Sequence, residues 1–524
     1  MTIADPVAAA ATSVGQLPAL LIMVPLLAAP VCVLLRRELL VWVIALLASL
    51  TSAVVAWQVL AHVGEHGPIR YAIGGWMAPT GIEYYIDTLN ATMLLLVSSI
   101  SSIVLVYARQ SISLSIGQDR HYLFYAAWLL CLTGLLGIAI TGDAFNVFVF
   151  LEISSLATYM LIAFGDDRRA LVASFRYLVL GSVGASFILI GIGFLYAATG
   201  TLNMVDLAVR IPDAESSRAV LVAFSFLTIG LMIKAAIFPL HAWLGDAYHR
   251  APIAVTAFLA GTATKVSLYV LLRFFYSIFG ADYSFGTVFL NGVLLPAAVC
   301  GFTIMSLVAV FQTDLRRMLA FSSVAQIGFI VAGVALATEA GLSAGIVHII
   351  NHAVVKATLF MAVGCILYRV GHVHKPSLDE LYRRMPFTCT AFALAGLGLI
   401  GVPLSAGFVS KFQLIDALFE RDLWPIVVLV LISSLLSFAY IGRTVEIMLF
   451  RKGRAATSAS SSGVEHGHLE GINEAPLGLL IPLYVMLGVM VWIGLNGDIT
   501  LGLALDASLE LLQGMRPIGA GAGS

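Results

Sequence analysis

The stretch MIKAAIFPLHAW, residues 232–243, places a proline inside a long apolar run, and GLIGVPLSAGFVSKF, residues 398–412, does the same further along. Both contain the pattern Pro-Leu-x-Ala, at Pro239–Ala242 and at Pro403–Ala406. A proline inside a helix removes a backbone donor and clashes with the preceding turn, so each helix is expected to break there. Broken backbone is tolerated in a membrane only where it is buried in protein or lines a wet cavity. The two stretches therefore predict a polar path inside a helical membrane protein.

The composition agrees with an all-α polytopic membrane protein. Of the 524 residues, 60% are hydrophobic and only 11% are charged, which is far from the balance of a soluble domain. Crossing the hydrocarbon core takes about 20 apolar residues in a helix, and such runs recur about fourteen times along the chain. The predicted spans, numbered 1 to 14 in order, are 17–35, 40–62, 86–108, 122–141, 143–164, 171–199, 219–243, 250–279, 286–311, 318–337, 341–369, 387–420, 424–450 and 476–505.

The two proline breaks fall in spans 7 and 12, which lie five spans apart and therefore cross the membrane in opposite directions. Paired broken helices of this kind are typical of transporters built from inverted repeats. We therefore predict two inverted five-helix repeats, spans 4–8 and 9–13, although two unrelated proline kinks would give the same pattern. The predicted organisation is spans 1–3 in 1–121, the first repeat in 122–280, the second in 286–450, a cytoplasmic linker in 451–475, and span 14 with a tail in 476–524.

The loop charges predict the topology. Arginine and lysine collect in the connections that follow odd-numbered spans, for example Arg316–Arg317 and Arg383–Arg384, and are sparse on the other side. By the positive-inside rule these connections are cytoplasmic and both termini face outward. The expected location is the inner membrane of a bacterium.

Several function classes are disfavoured by what the sequence lacks. A net charge of −1 gives no basic field for nucleic acid. The five cysteines have no C-x-x-C spacing, so redox chemistry in this chain is not expected. The sequence contains no phosphate-binding loop, so ATP hydrolysis is not expected either. We expect no cofactor. His466 and His468 lie in a Ser/Gly-rich stretch, where a flexible linker is favoured over a metal site.

Charged residues inside the spans point to the function. Four of the six lysines lie within apolar runs, at Lys234, Lys265, Lys356 and Lys411. Each charge at the bilayer centre opposes insertion by roughly 2.5–3.5 kcal/mol, so these residues need a reason to be there. A desolvated lysine can release and recover a proton, whereas arginine stays charged. Too few acids accompany them for simple ion pairing, which favours proton transfer.

Glu152, in FNVFVFLEISSLATYMLIAF (145–164), is the chief acid of these spans and needs a cationic partner. Lys234, beside the first break, is the expected partner, in a pair whose strength changes as protons move. His348, His352 and Lys356 follow at i, i+4 and i+8 and should share one helix face, which suits a proton relay. Zinc is disfavoured because no third ligand is evident.

Three longer stretches carry a resemblance: HAWLGDAYHRAPIAVTAFLAGTATKVSLYVLLR (241–273), TDLRRMLAFSSVAQIGF (313–329) and NHAVVKATLF (351–360). They resemble the antiporter-like subunit family, which is shared by respiratory complex I, membrane-bound hydrogenases and Mrp-type cation/proton antiporters. The resemblance implies fourteen helices, two inverted repeats and a central hydrophilic axis. By position, Glu152, Lys234, Lys265, His348, His352, Lys356 and Lys411 match the polar residues of that axis.

Within this family, Asp246–Tyr248 and Gly245 lean towards the D subunit of an Mrp-type antiporter. The expected function is proton translocation in exchange for Na⁺ or another monovalent cation, together with partner membrane subunits. The alternative is a proton-pumping subunit of a redox complex whose chemistry resides in other chains. A third class, a coupling subunit of an inorganic-carbon uptake complex, would predict a large soluble partner.

Overall fold

The computed structural model describes residues 15–165, 167–215, 217–288, 290–450 and 473–515. The described residues form a bundle of α-helices with one small hairpin, in which β1 (Ile69–Ala72) pairs antiparallel with β2 (Glu83–Ile86). The helices are α1 Leu17–Leu35, α2 Glu38–His66, α3 Thr88–Ser111, α4 His121–Ile140, α5 Ala144–Ala163, α6 Arg168–Thr199, α7 Met204–Ala214, α8 Arg218–Lys234, α9 Ala242–Arg250, α10 Ile253–Gly261, α11 Ala263–Leu272, α12 Asn291–Val310, α13 Leu315–Ala335, α14 Glu339–Val370, α15 Pro386–Ile400, α16 Ala406–Phe419, α17 Trp424–Phe450, α18 Leu477–Leu495 and α19 Gly497–Gln513.

The predicted helical membrane fold is confirmed. Within the described ranges, twelve helical segments are long and apolar enough to cross a membrane. Predicted spans 7 and 12 each correspond to two shorter helices, α8 with α9 and α15 with α16. The exact number of crossings and the inverted repeats stay predictions, and His466 and His468 lie outside the described residues.

Both predicted breaks are present. Residues 235–241 separate α8 from α9 and include Pro239, and residues 401–405 separate α15 from α16 and include Pro403. The backbone leaves helical geometry before each proline: Ala236 has φ +55° and Gly401 has φ +87°. These left-handed conformations end a right-handed helix, so each break begins earlier than its proline. Lys234 is consequently the last residue of α8.

A third interruption, in predicted span 8, was not foreseen. α10 ends at Gly261, Thr262 has φ −125° and ψ −60°, and α11 begins at Ala263. The Thr262 hydroxyl donates to the carbonyl of Phe258 (2.7 Å), so the side chain competes with the backbone for an acceptor. Gly261 packs tightly, since a Cβ there would lie 3.1 Å from a methyl of Ile100.

Predicted span 14 is longer than expected and consists of α18 and α19, with Asn496 between them. Gly478 packs on the side chain of Gln110, near the C-terminal end of α3, and Glu510 accepts two hydrogen bonds from Thr88, at its N-terminal end (3.0 and 2.8 Å). The two helices therefore run the length of α3. The connection between predicted spans 6 and 7 also contains helix α7.

Helix α14 forms the centre of the bundle. The most apolar 18-residue window of this helix is entirely buried, and α14 packs against α10, α13, α15, α16, α18 and α19. Helices α1, α2, α6 and α17 are much less buried and expose large apolar side chains. Polar residues on α14 therefore lie at the centre of the molecule, far from its apolar rim.

Candidate functional site

Glu152 and Lys234 lie side by side. α5 carries Glu152 and α8 ends at Lys234, and the lysine Nζ lies 4.0 Å from Oε1 of the glutamate. Lys234 donates a 2.9 Å hydrogen bond to the hydroxyl of Ser155, one turn along from Glu152. The Lys234 side chain is 3% exposed and that of Glu152 is 30% exposed. The two charges attract at contact range without a direct hydrogen bond, so small movements can alter the pair.

A small cavity continues from Lys234 towards α11. It measures about 20 Å³ and is lined by Lys234, Ser155, Thr158, Ala263 and Ser267 among others. A volume of roughly 10–15 Å³ is enough for one water molecule, and five hydroxyl-bearing residues line this cavity. The cavity thus connects Lys234 with the helix that carries Lys265.

Lys265 is completely buried, and the break at Thr262 supplies its main acceptor. Its Nζ donates to the carbonyl oxygen of Ala260, in the last turn of α10, and to the hydroxyl of Thr264 (3.3 Å). Carbonyl groups in the last turn of a helix lack backbone partners and carry partial negative charge. The broken helix stabilises the ammonium without a carboxylate.

Lys356 lies on α14 and is also fully buried. Its Nζ donates to the carbonyl of Leu319 (2.9 Å) and to the hydroxyl of Ser322, both on α13. Uncharged oxygens thus surround this lysine as well.

The two histidines of α14 have contrasting environments. Ring nitrogens of His348 lie 2.8 Å from the hydroxyl of Ser410 and 3.1 Å from Oε1 of Gln326. Both ring nitrogens of His352 are buried and have no hydrogen-bond partner among the described residues. The two rings stack, with centroids 6.0 Å apart, so the structure places them on one helix face as the spacing predicted.

Lys411 lies at the second predicted break. Its Nζ donates to the carbonyls of Leu399 (3.1 Å) and Ile400 (2.8 Å), the last two residues of α15, and to the hydroxyl of Ser434 (3.4 Å). The ring of Phe329 lies beneath the ammonium, 5.0 Å away. A helix C-terminus, a hydroxyl and an aromatic face therefore stabilise this charge.

The partners of the lysines were missed by reasoning from sequence. Ser155, Thr264, Ser322 and Ser434 each accept a hydrogen bond from one interior lysine. Isolated hydroxyls in apolar spans were visible, but hydroxyls commonly bond to their own helix, so the sequence does not tell which ones face a lysine. The carbonyl acceptors have no sequence signal at all.

A buried ion pair at the other end of α11 was also missed. Arg273 directly follows this helix and donates to both carboxylate oxygens of Asp87, at 2.7 and 2.9 Å. Oδ1 of Asn90 accepts a further bond from the same guanidinium. A bidentate pair of this kind is strong and geometrically specific, so it fixes α11 against the start of α3.

Charged residues tie α9 to its neighbours. Asp246 pairs with Arg176 at 2.8 Å, and His249 lies 3.2 Å from Asp314, which caps α13. Nearby, in the loop after α14, burial and the charge of Arg443 together lower the pKa of Lys375 to about 8, with Asp314 partly opposing the shift. The second half of the broken helix is therefore fixed at its polar end.

No group of three or more His, Cys, Asp or Glu side chains in the described ranges is arranged to hold a metal ion. The candidate site consists of the Glu152 carboxylate, organic bases and neutral oxygens.

Residues 141–437 match the family model for the transmembrane region of NADH:quinone oxidoreductases and Mrp antiporters. The chain belongs to this family. It is 40% identical to the N subunit of the NADH-quinone oxidoreductase of Desulforudis audaxviator, over 91% of this chain and 95% of that protein. It is 32% identical to the D subunit of the Na⁺/H⁺ antiporter of Alkalihalophilus pseudofirmus, over 72% and 75%.

Among solved structures, the chain resembles one in the Mrp complex from Dietzia sp. DQ12-45-1b. The TM-score is 0.85 at 27% identity, with 96% of this chain and 98% of that chain covered. The predicted resemblance to antiporter-like subunits is confirmed. The chain is an antiporter-like membrane subunit of the kind found in Mrp, complex I or membrane-bound hydrogenase-type complexes.

Proposed function

We propose that this chain carries protons for a multi-subunit Mrp-type antiporter that exchanges H⁺ for Na⁺. The protons move along Glu152, Lys234, Lys265, the group His348, His352 and Lys356, and Lys411.

The observation that supports this function best is the pairing of every interior lysine with a hydroxyl. A carbonyl only accepts hydrogen bonds, but a hydroxyl both donates and accepts. It accepts from the ammonium and, after rotation, donates to the neutral amine. Each lysine thus keeps a partner with and without its proton, which a purely structural charge does not need.

His352 is suited to the centre of this row. Its ring nitrogens are buried without partners among the described residues, and Lys265, Lys356 and His348 all lie within electrostatic range. A proton on any one of these groups repels a proton on the others, so occupancy at one position drives release from the next. Beyond Glu152, the row then moves protons stepwise from one base to the next.

Glu152 joins the row to the outside of the chain. Its side chain lies within a membrane-length helix yet is partly exposed, and an acid exposed there would be costly against lipid. We infer that another membrane subunit covers it, so that protons or charge pass between subunits there.

The alternative is a proton-pumping subunit of a redox complex related to complex I or to membrane-bound hydrogenases. The 40% identity to the N subunit of an NADH-quinone oxidoreductase favours this alternative. The row would be the same, and electron transfer in other chains would drive it.

The two functions are distinguished in inverted membrane vesicles that contain the whole complex. A pH gradient is imposed without any electron donor to the complex, and NaCl, KCl or choline chloride is added. An antiporter dissipates the gradient on addition of Na⁺ but not of choline. If the added cations left the pH gradient unchanged, but the complex formed a gradient when it received electrons, the alternative would be established instead.

A further inference from the structure

We propose that the oxygens around Lys411 form a binding site for a dehydrated monovalent metal cation, which competes with the proton on that lysine. The inference rests on the proposed exchange function and locates the exchange at one break.

Three neutral oxygens converge on one point. The carbonyls of Leu399 and Ile400 and the hydroxyl of Ser434 lie 3.1, 2.8 and 3.4 Å from the Lys411 Nζ. The two carbonyls end the half-helix α15, where the partial negative charge of the helix is concentrated. Unwound carbonyls and half-helix C-terminal ends coordinate Na⁺ in transporters with broken helices.

The other interior lysines have smaller oxygen sets. Lys265 and Lys356 each donate to two oxygens and are completely buried, and Lys234 donates to a single hydroxyl. Lys411 instead adjoins the 401–405 break, where Leu404 is 78% exposed. Among the interior lysines, only this oxygen set combines three acceptors with a position beside a break that contains so exposed a residue.

The exchange balances in charge. A proton leaves the Lys411 ammonium to water, the N–H bond breaks, and its electron pair remains on nitrogen as a lone pair. A Na⁺ ion then occupies the three-oxygen set, with the neutral amine as a fourth ligand. The position carries one positive charge before and after, so the carbonyls and the ring of Phe329 stabilise both states.

Two titratable groups on α14 face this position. His348 and His352 both interact electrostatically with Lys411. No carboxylate forms an ion pair with Lys411 in the described part of the chain, so the competition is between one proton and one cation.

The test is equilibrium binding of ²²Na⁺ to the intact purified complex at several pH values. Competition with one proton predicts that Na⁺ affinity rises by up to about tenfold per pH unit while Lys411 is protonated. Lys411→Met keeps the oxygens and removes the proton, so this site should bind Na⁺ independently of pH. Lys411→Arg keeps a permanent cation in place, so this site should be lost at every pH.

Neighbouring serines provide a matched control. Ser434→Ala removes one proposed ligand and should weaken Na⁺ binding several-fold. Ser433→Ala, whose hydroxyl bonds to the carbonyl of Phe302 (2.9 Å), should leave binding unchanged. Identical, equally pH-dependent Na⁺ binding in the unaltered, Lys411→Arg and Ser434→Ala complexes would overturn the inference. If Na⁺ still dissipated the pH gradient in vesicles, the proposed antiport would stand with its cation site elsewhere.

Discussion

Each interior lysine is held by uncharged oxygens, and only Lys234 has a carboxylate within 4.0 Å among the described residues. The sequence correctly predicted that Glu152 and Lys234 are neighbours, because few other acids were available and the break left room for a charged head. It did not predict the hydroxyl partners or the orphaned nitrogens of His352, since neither depends on residue spacing. Charged residues inside apolar spans can be found from sequence, whereas the groups that stabilise them depend on how the helices pack.

The Glu152–Lys234 pair leads to a prediction at this scale. Glu152→Gln removes the charge while keeping the shape, and we expect cation-driven proton exchange to fall by at least about tenfold. Because the two residues act as one unit, the double variant Glu152→Gln/Lys234→Gln should lose less exchange activity than the sum of the losses in the two single variants. The measurement is the rate of pH-gradient dissipation in vesicles with equal amounts of assembled complex.

Glu65→Gln is the control for this change. Glu65 is an exposed acid near the end of α2, and its replacement should leave the rate unaltered. Strictly additive losses in the double variant would show that Glu152 and Lys234 are not coupled.

Among the elements, the broken helices determine where the lysines lie. The breaks at Pro239 and Pro403 were predictable because an interior proline leaves a backbone carbonyl without its donor. The break at Thr262 was not predictable, because GTATK contains no proline and its glycine has several ordinary uses. The carbonyls of Ala260, at the end of α10, and of Leu399 and Ile400, at the end of α15, accept hydrogen bonds from Lys265 and Lys411. These pairings could not be predicted from sequence.

Alanine substitutions at two glycines with left-handed backbones can distinguish the effect of the break on exchange from the effect of a general loss of stability. Gly401 has φ +87° and Gly371 has φ +79°, so alanine at either position should destabilise the protein by about 1 kcal/mol. A Cβ at Gly401 would lie 3.0 Å from Cδ of Lys411, whereas a Cβ at Gly371 meets nothing within 4 Å. We expect both variants to melt at similarly lowered temperatures, and only Gly401→Ala to slow exchange.

Thermal unfolding and vesicle exchange measured on the same preparations check this prediction. Equal exchange in the two alanine variants would mean that the position of Lys411 relative to the break does not matter.

In the whole molecule, α14 lies at the centre and partly exposed apolar helices lie around it. The sequence predicted the helical membrane fold and most helix bounds, because apolar runs of sufficient length have few other solutions. It did not predict the hairpin β1–β2 or the two-part α18–α19, since these depend on packing against α3 and its neighbours. The orientation in the membrane stays a prediction from loop charges.

Single cysteines test that orientation, in a background in which the five native cysteines are replaced. Ser377 lies in the Arg/Lys-rich loop after α14 and Thr80 lies in the β1–β2 turn, and both are exposed. A membrane-impermeant maleimide should label Ser377→Cys only in inverted vesicles and Thr80→Cys only in right-side-out ones. Labelling of the two positions from the same side would contradict the predicted topology.

The central claim is that the interior lysines release and recover protons. Lys234→Arg tests it most directly, because arginine keeps the positive charge beside Glu152 but does not give up its proton. We predict that Na⁺ dissipates the pH gradient at least about tenfold more slowly with the assembled Lys234→Arg complex than with the unaltered complex. Lys375→Arg, which lies outside the row, should leave this rate unchanged. Undiminished exchange in the Lys234→Arg complex would show that the lysine is only a structural charge.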